Sequence, residues 1–338
     1  MNSVKMPIFI MGTQRSGTTL LRLILNAHSK IAIPEEARFL VPLLKKRYLK
    51  KSIRGDSLIK LIRYLSSNEQ FKLWNYDSLG FFRQLSQRNE VSLRELIDLM
   101  FSSYCASERK MIWGDKSLFF SVINILSTLF TDACFIHIVR DGRDVFDSWR
   151  KMDKTKNNAA VVALDWCYKL RKIENSLKRL SPERQLTIRY EDLIGEPEKT
   201  IKTVCYFIGV EYETGMLDFY KTSNYYIGSH HSNLIFNPIN SENRSKWRKN
   251  LSSEEIKAFT FLARRYLEKY NYEMPAKNLS FYDVFGILTS LVIGIPKRIG
   301  QVLYTHRAYE KALKSGQPVE SVPTGNMPRD LKKEPLSR

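Results

Sequence analysis

Residues 9–24, FIMGTQRSGTTLLRLI, constrain the fold of this chain more than any other stretch. An apolar run at 8–11 feeds Gly12; Gly17 follows after four residues, then Thr18, Thr19 and the helical pattern TLLRLILNAH. A glycine-rich turn between a strand and a helix points backbone N–H groups at an anion, at the positive end of the helix dipole. The strand before and the helix after are the context such a loop needs. Where a nucleoside triphosphatase keeps a lysine for the β- and γ-phosphates, this chain has Thr18, and the cation inside the loop is Arg15.

A second basic cluster follows the apolar run ACFIHIV. Arg140 stands at its end, then come Asp141, Gly142 and Arg143, and a helical stretch carries Ser148. Ligands of parallel α/β sheets gather outside the carboxyl ends of the strands, where Arg140 would be. The sequence therefore offers two anion sites on one sheet edge. The first suits a 5′-phosphate, the second a separate phosphate such as one on a ribose. The alternative for Arg140 is a structural ion pair with Asp141 or Asp144.

Short β-rich runs at 7–11, 111–114, 133–139 and 185–189 alternate with helical stretches, which points to an α/β fold. Its expected form is a phosphate-loop, three-layer architecture with a central parallel sheet flanked by helices. SLRE at 92–95 and SSEE at 252–255 are capping boxes that open helices. A long helical pattern covers 159–179, and another helix starts at Pro197 and stops at Gly209. The expected division is a main domain over 1–275 with a helical insertion at 45–105, a helical extension over 276–314, and a disordered, Pro-, Ser- and Lys-rich tail over 315–338.

The 338 residues carry a formal net charge of +19, a field that favours anionic partners; no zinc-finger, homeodomain or RNA-recognition signature accompanies it, so no specific nucleic acid is expected. Four separated cysteines form no C-x-x-C pair, which speaks against a metal or disulfide framework and suits a reducing, cytoplasmic compartment. No secretory signal is read at the start of the sequence. Residues 45–63 are strongly basic and read first as a solvated helical face, with a docking patch for an anionic acceptor or membrane as the sharper alternative. The apolar run 284–295, followed by Lys297 and Arg298, is shorter than the ~20 residues that span a bilayer. It reads as a core or interface helix, because Gly286, Gly294 and Pro296 weaken it as an anchor. A peripheral membrane contact through 281–300 is the second reading, and a homodimer stays open.

TQRSGTTLLRLILNAHSKIAIPEEARFL and IHIVRDGRDVFDSW together resemble the two cofactor-binding motifs of sulfotransferases that use 3′-phosphoadenosine-5′-phosphosulfate (PAPS). The loop followed by AH and then EE is most similar to tyrosylprotein sulfotransferases and their bacterial relatives. The resemblance spans roughly residues 6–270 and leaves out 45–63 and everything after 275. It implies that Arg15, Ser16, Gly17, Thr18 and Thr19 hold the phosphosulfate end and that Arg140 and Ser148 hold the 3′-phosphate. Tyr190 matches a position near the adenine, with a core tyrosine at the sheet edge as the alternative. Lys246, with Arg244 and Arg248 as competitors, matches a late basic segment over the cofactor.

By the same resemblance Glu36 is the base for the acceptor proton, Lys116 bridges to the transferred group, and no metal is required. Ser117 and Leu118 stand where the family often has a proline. The product nucleotide would be 3′-phosphoadenosine-5′-phosphate (PAP). The acceptor would be a hydroxyl of a saccharide, glycolipid, small molecule or peptide tyrosine, with an anionic one suiting the charge. His28 and His137 read as structural, and His230 or His231 could line the acceptor pocket. Two readings from other classes compete: a phosphate-loop kinase or nucleotide-binding protein, and a non-catalytic polyanion-binding module.

Overall fold

A computed structural model of the chain describes residues 6–44, 51–117, 120, 122–153, 156–222, 237–275 and 279–315. The first part runs β1 (Ile8–Gly12), α1 (Thr18–Asn26), β2 (Ile31–Ala32), β3 (Ile53–Arg54), α2 (Asp56–Ser66), α3 (Glu69–Lys72), α4 (Leu79–Ser86), β4 (Glu90–Val91) and α5 (Leu93–Ser107). The middle holds β5 (Ile112–Asp115), α6 (Ile123–Leu129), β6 (Cys134–Val139), α7 (Gly142–Met152), α8 (Ala159–Leu177), β7 (Gln185–Arg189), α9 (Tyr190–Gly195) and α10 (Pro197–Ile208). Last come α11 (Phe219–Thr222), α12 (Trp247–Asn250), α13 (Ser253–Lys269) and α14 (Phe281–Ser315).

Five strands form one parallel sheet in the order β2-β5-β1-β6-β7. β1 lies at its centre, and its alternation fills two cores. Phe9 and Met11 face one side, where Phe9 stacks on Phe135 at 5.3 Å and meets Trp113 edge-on at 5.7 Å. Ile8 and Ile10 face the other, against α1 and α10. Burial on both faces gives three layers, each fully buried apolar side chain contributing roughly 1.5–3 kcal/mol. β1 connects through α1 to one side of the sheet, whereas β6 connects to β7 on the other. A crevice therefore opens at the carboxyl ends of β1 and β6, where ligands of such sheets sit.

The four expected strands fall within a residue of their places. Both capping boxes form, at Ser92 with Glu95 and at Ser252 with Glu255. Pro197 opens α10, and Gly209 closes it with φ 73°. Strand β2 and the antiparallel pair β3–β4 went unread, because two residues carry no periodicity.

The C-terminal apolar run corrects its sequence reading. It is no core helix: α14 extends over 35 residues through Pro296, and most of its apolar side chains are exposed. Gly294 strengthens the docking of this helix, since a Cβ there would lie 2.4 Å from Val161 and 2.8 Å from Asn158. The close approach of α14 to α8 needs that glycine. By length and composition alone, 281–308 is long and apolar enough to cross a membrane. The tail beyond Ser315 lies outside the described residues.

Candidate active site

The loop between β1 and α1 takes its shape from backbone torsions. Arg15 and Gly17 both have positive φ, 67° and 96°, and Gly17 is the N-cap of α1. A side chain at 17 would be strained, and its Cβ would lie 2.4 Å from the Tyr190 ring. Ser16 is buried and closes the loop on itself: its hydroxyl donates to the Thr13 carbonyl at 2.7 Å. Thr18 is buried in the first turn of α1, and Thr19 accepts from Lys116 Nζ at 3.1 Å.

At the end of β6 the structure brings Arg140 to this loop. Its guanidinium donates to the carbonyls of Arg15 (3.3 Å) and Asn243 (3.1 Å) and lies 4.4 Å from the centroid of Tyr190. The expected ion pair with Asp144 is long, at 3.9 Å. Arg140 Nε is buried and has no hydrogen-bond partner among the described residues. Arg15 Nε donates to Ser148 Oγ at 2.9 Å, so the two motifs meet across 133 positions of sequence. Burial, and then the neighbouring charge of Arg140, push the Arg15 guanidinium below its ordinary value. Two like charges are held together in a crevice, an arrangement that an anion would relieve.

Tyr190 is only 4% exposed, wedged between Gly17 and Arg140 with its hydroxyl accepting from Asn243 Nδ2 at 2.7 Å. Its position favours the core-tyrosine alternative: it shapes the loop and the arginine, and offers little surface to an adenine. Residues 237–250 cross above Arg140, pinned where Asp144 accepts from the backbone N–H of Ser245 (2.7 Å) and Trp247 (2.9 Å). Lys246 and Arg244 are exposed on that segment, whereas Arg248 is committed to an ion pair with Glu273. Arg143 is fully buried in a pair with Asp141 and stacks on Trp247 at 3.9 Å, which leaves Arg140 as the arginine facing the crevice.

The ends of β2 and β5 hold a second cluster. Glu36 receives Lys116 Nζ on Oε1 at 2.7 Å and Arg38 Nε on Oε2 at 2.5 Å. Burial alone would raise this carboxyl, but Lys116 and then Arg38 hold it well below the usual carboxylate range. Glu35 turns away into a buried pair with Arg22 at 2.6 Å. The segment is locked by Ser117, which accepts from the Ala37 N–H at 2.5 Å and donates to Asp115. Burial pushes the Asp115 carboxyl up to about 6 despite those hydrogen bonds. The Asp115–Ser117 clamp went unread because its members look like ordinary strand-end residues. Arg38 was legible as the cation two places after Glu36.

His28 is structural: it bonds the Glu211 carbonyl at 2.9 Å and accepts from the Lys30 N–H at 3.0 Å. His137 is buried inside β6, and burial pushes its imidazole down to about 3. His230 and His231 lie outside the described residues. Among the described residues no group of three or more His, Cys, Asp or Glu is placed to hold a metal.

Residues 7–214 match the family model described as "Sulfotransferase family". The chain belongs to the sulfotransferase family. It is similar to protein-tyrosine sulfotransferase 2 of Gallus gallus, 25% identical over 277 residues, covering 77% of this chain and 68% of that protein. It is also similar to the omega-hydroxy-beta-dihydromenaquinone-9 sulfotransferase Stf3 of Mycobacterium bovis, 25% identical over 245 residues, which are 60% of this chain and 63% of that one. The chain thus spans about two thirds of either relative. Among solved structures it is similar to the sulfotransferase domain from the curacin biosynthetic pathway, with a TM-score of 0.57 and 25% identity, covering 80% of this chain and 99% of that domain.

Proposed function

We infer that this sulfotransferase moves a sulfuryl group from PAPS to an acceptor hydroxyl and releases PAP. The observation that carries the reading is the pairing of Arg15 with Arg140 at the β1–β6 crevice, where the buried Arg140 Nε has no partner among the described residues. Two separate cations on one edge suit a nucleotide with phosphates on both its 5′ and 3′ positions.

PAPS supplies an already activated sulfuryl group, so the protein must place the reactants in line, accept one proton and stabilise charge on the departing phosphate. Arg15, with the loop N–H groups and Thr18, holds the 5′ end; Arg140 and Ser148 hold the 3′-phosphate. Lys116 lies between Thr19 and Glu36, within reach of the loop and of the base. From there its ammonium stabilises charge that grows on the leaving phosphate. Glu36 is charged at rest and is therefore ready to accept the proton of the acceptor hydroxyl. As Lys116 turns to the phosphate, Glu36 loses the counterion that lowers it most and becomes a stronger base. Arg38 keeps the carboxylate in place meanwhile.

The relatives' names point to two kinds of hydroxyl, a protein tyrosine and one on a dihydromenaquinone. The reading is tested by incubating the purified chain with sulfur-labelled PAPS and a fractionated lysate. Label transferred to an acceptor without added magnesium is the expected result. Magnesium-dependent labelling from ATP, with none from PAPS, would move the chain to phosphoryl transfer.

A further inference from the structure

The C-terminal helix buries Ile287 against the protein but turns most of its apolar side chains outward, the reverse of an ordinary surface helix. Its docked face is held by polar links. Asp283 pairs with Lys257 at 3.1 Å, the Ser290 carbonyl accepts from Asn158 at 2.8 Å, Arg298 pairs with Asp165 at 3.1 Å, and Gln301 accepts from Lys156. The outward face carries Phe281, Phe285, Leu288, Val292, Ile299 and Val302, between 51% and 80% exposed. These positions follow one another in helical steps of three, four or seven and so form one stripe along the rod. From 284 to 296 α14 has no charged residue on any face.

The described part of the basic stretch noted in the sequence, residues 51–63, includes α2 and is left unused by the active site. Helix α2 packs against α14. Lys60 and Arg63 are exposed on α2, Lys51 and Arg54 just before it, and Lys297, Arg307 and Lys311 along α14. Exposed apolar and aromatic side chains beside clustered lysines and arginines are the surface of a helix that lies at a lipid interface. A second copy of the chain would instead bring one surface of a +19 molecule against another. Crossing the bilayer is also disfavoured, since α2, α8 and α13 all pack against α14 and tie it to the domain.

We propose that the outer face of α14, with the basic surface of α2 beside it, docks this chain on an anionic lipid bilayer. The helix lies in the headgroup region, its stripe in the acyl boundary and its lysines and arginines among the headgroups.

The test is co-sedimentation of the full chain with vesicles of pure phosphatidylcholine or of phosphatidylcholine with phosphatidylglycerol. Binding is expected only to the anionic vesicles, weakening as salt rises. Val292→Glu and Ile299→Glu should each lower the partition coefficient more than about tenfold, by placing a charge on the apolar stripe. Lys60→Glu with Arg63→Glu should lower it by about fivefold or more for each residue changed and flatten the salt dependence. A single cooperative thermal transition in each variant shows that the fold is retained. Failure of the wild-type chain to bind anionic vesicles overturns the proposal. So does a dimer in light scattering that Val292→Glu converts to monomer with vesicle binding unchanged, because the stripe is then a self-interface.

Discussion

The two halves of the sheet's carboxyl edge carry similar residues in opposite electrostatic states. At β1 and β6, Arg15 and Arg140 are held together as like charges, and burial and then the charge of Arg140 push Arg15 below its ordinary value. At β5 and β2, Lys116 and Arg38 are matched by Glu36 through hydrogen bonds of 2.7 and 2.5 Å. The first half gathers cations that an anion would relieve; the second has its charges matched at rest, and on the proposed mechanism Lys116 must turn from Glu36. On the proposed roles, binding and chemistry are separated along one edge, and substitutions should affect them separately.

The largest effect expected is that of Glu36→Gln. It keeps shape and removes the base, so turnover with saturating PAPS should fall by about 10²–10⁴ while PAP affinity in calorimetry changes little. Turnover near that of the wild type would end the assignment.

Lys116→Met comes next, with a drop in single-turnover rate of about 10²–10³ and a much smaller loss of PAP binding. It also has a signature in pH. In the wild type Glu36 is held below the usual carboxylate range, so the free enzyme should show no acid limb from Glu36 near neutrality. Without Lys116, burial is opposed by Arg38 alone, and the Glu36 carboxyl must rise. An acid limb in kcat/KM should then appear at higher pH than in the wild type. A profile that stays put would mean that the lysine does not control the base.

Arg140→Ala should weaken PAP by about ten- to a hundredfold, the loss of one or two charge-assisted bonds, and adenosine 5′-phosphate much less. Equal losses for both nucleotides would move Arg140 off the 3′-phosphate. The smallest effect is expected for Ser148→Ala, about two- to tenfold on PAP affinity, because one neutral hydroxyl contact disappears and Arg15 is held less firmly. If that variant instead behaves like Arg140→Ala, the two sides of the crevice act as one unit.

Much of the anion half was legible in the sequence because its signals are local. A strand, two spaced glycines and a helix start occupy consecutive positions, and RDGR follows its own strand directly. The acid–base half was legible only as members, Glu36 and Lys116. The direct bond from Lys116 to Glu36, and the bond from the Ala37 N–H to Ser117, each join residues 80 apart by contacts that no spacing encodes. Tyr190 had two readings in the sequence, near the adenine or in the core, and its burial between Gly17 and Arg140 favours the second. The C-terminal helix was expected, but its reading as a core helix fails because Gly286, Gly294 and Pro296 were counted only against a membrane anchor. Its stability comes from docking on α8, which Gly294 permits.

Gly17 has one more consequence. Its φ of 96° and the Tyr190 ring 2.4 Å from any Cβ leave that position closed to every other residue. Gly12 is similarly confined, with Ser16 Oγ at 2.6 Å and the Ile138 carbonyl at 2.8 Å. In a saturation library scored for activity, these two positions would appear as intolerant as Glu36, although neither supplies a side-chain atom to the reaction. Double variants that shrink residue 190 would remove the clash at Gly17 but not the strain of its positive φ, so they would recover only part of the tolerance and would report the shape of the loop rather than its chemistry.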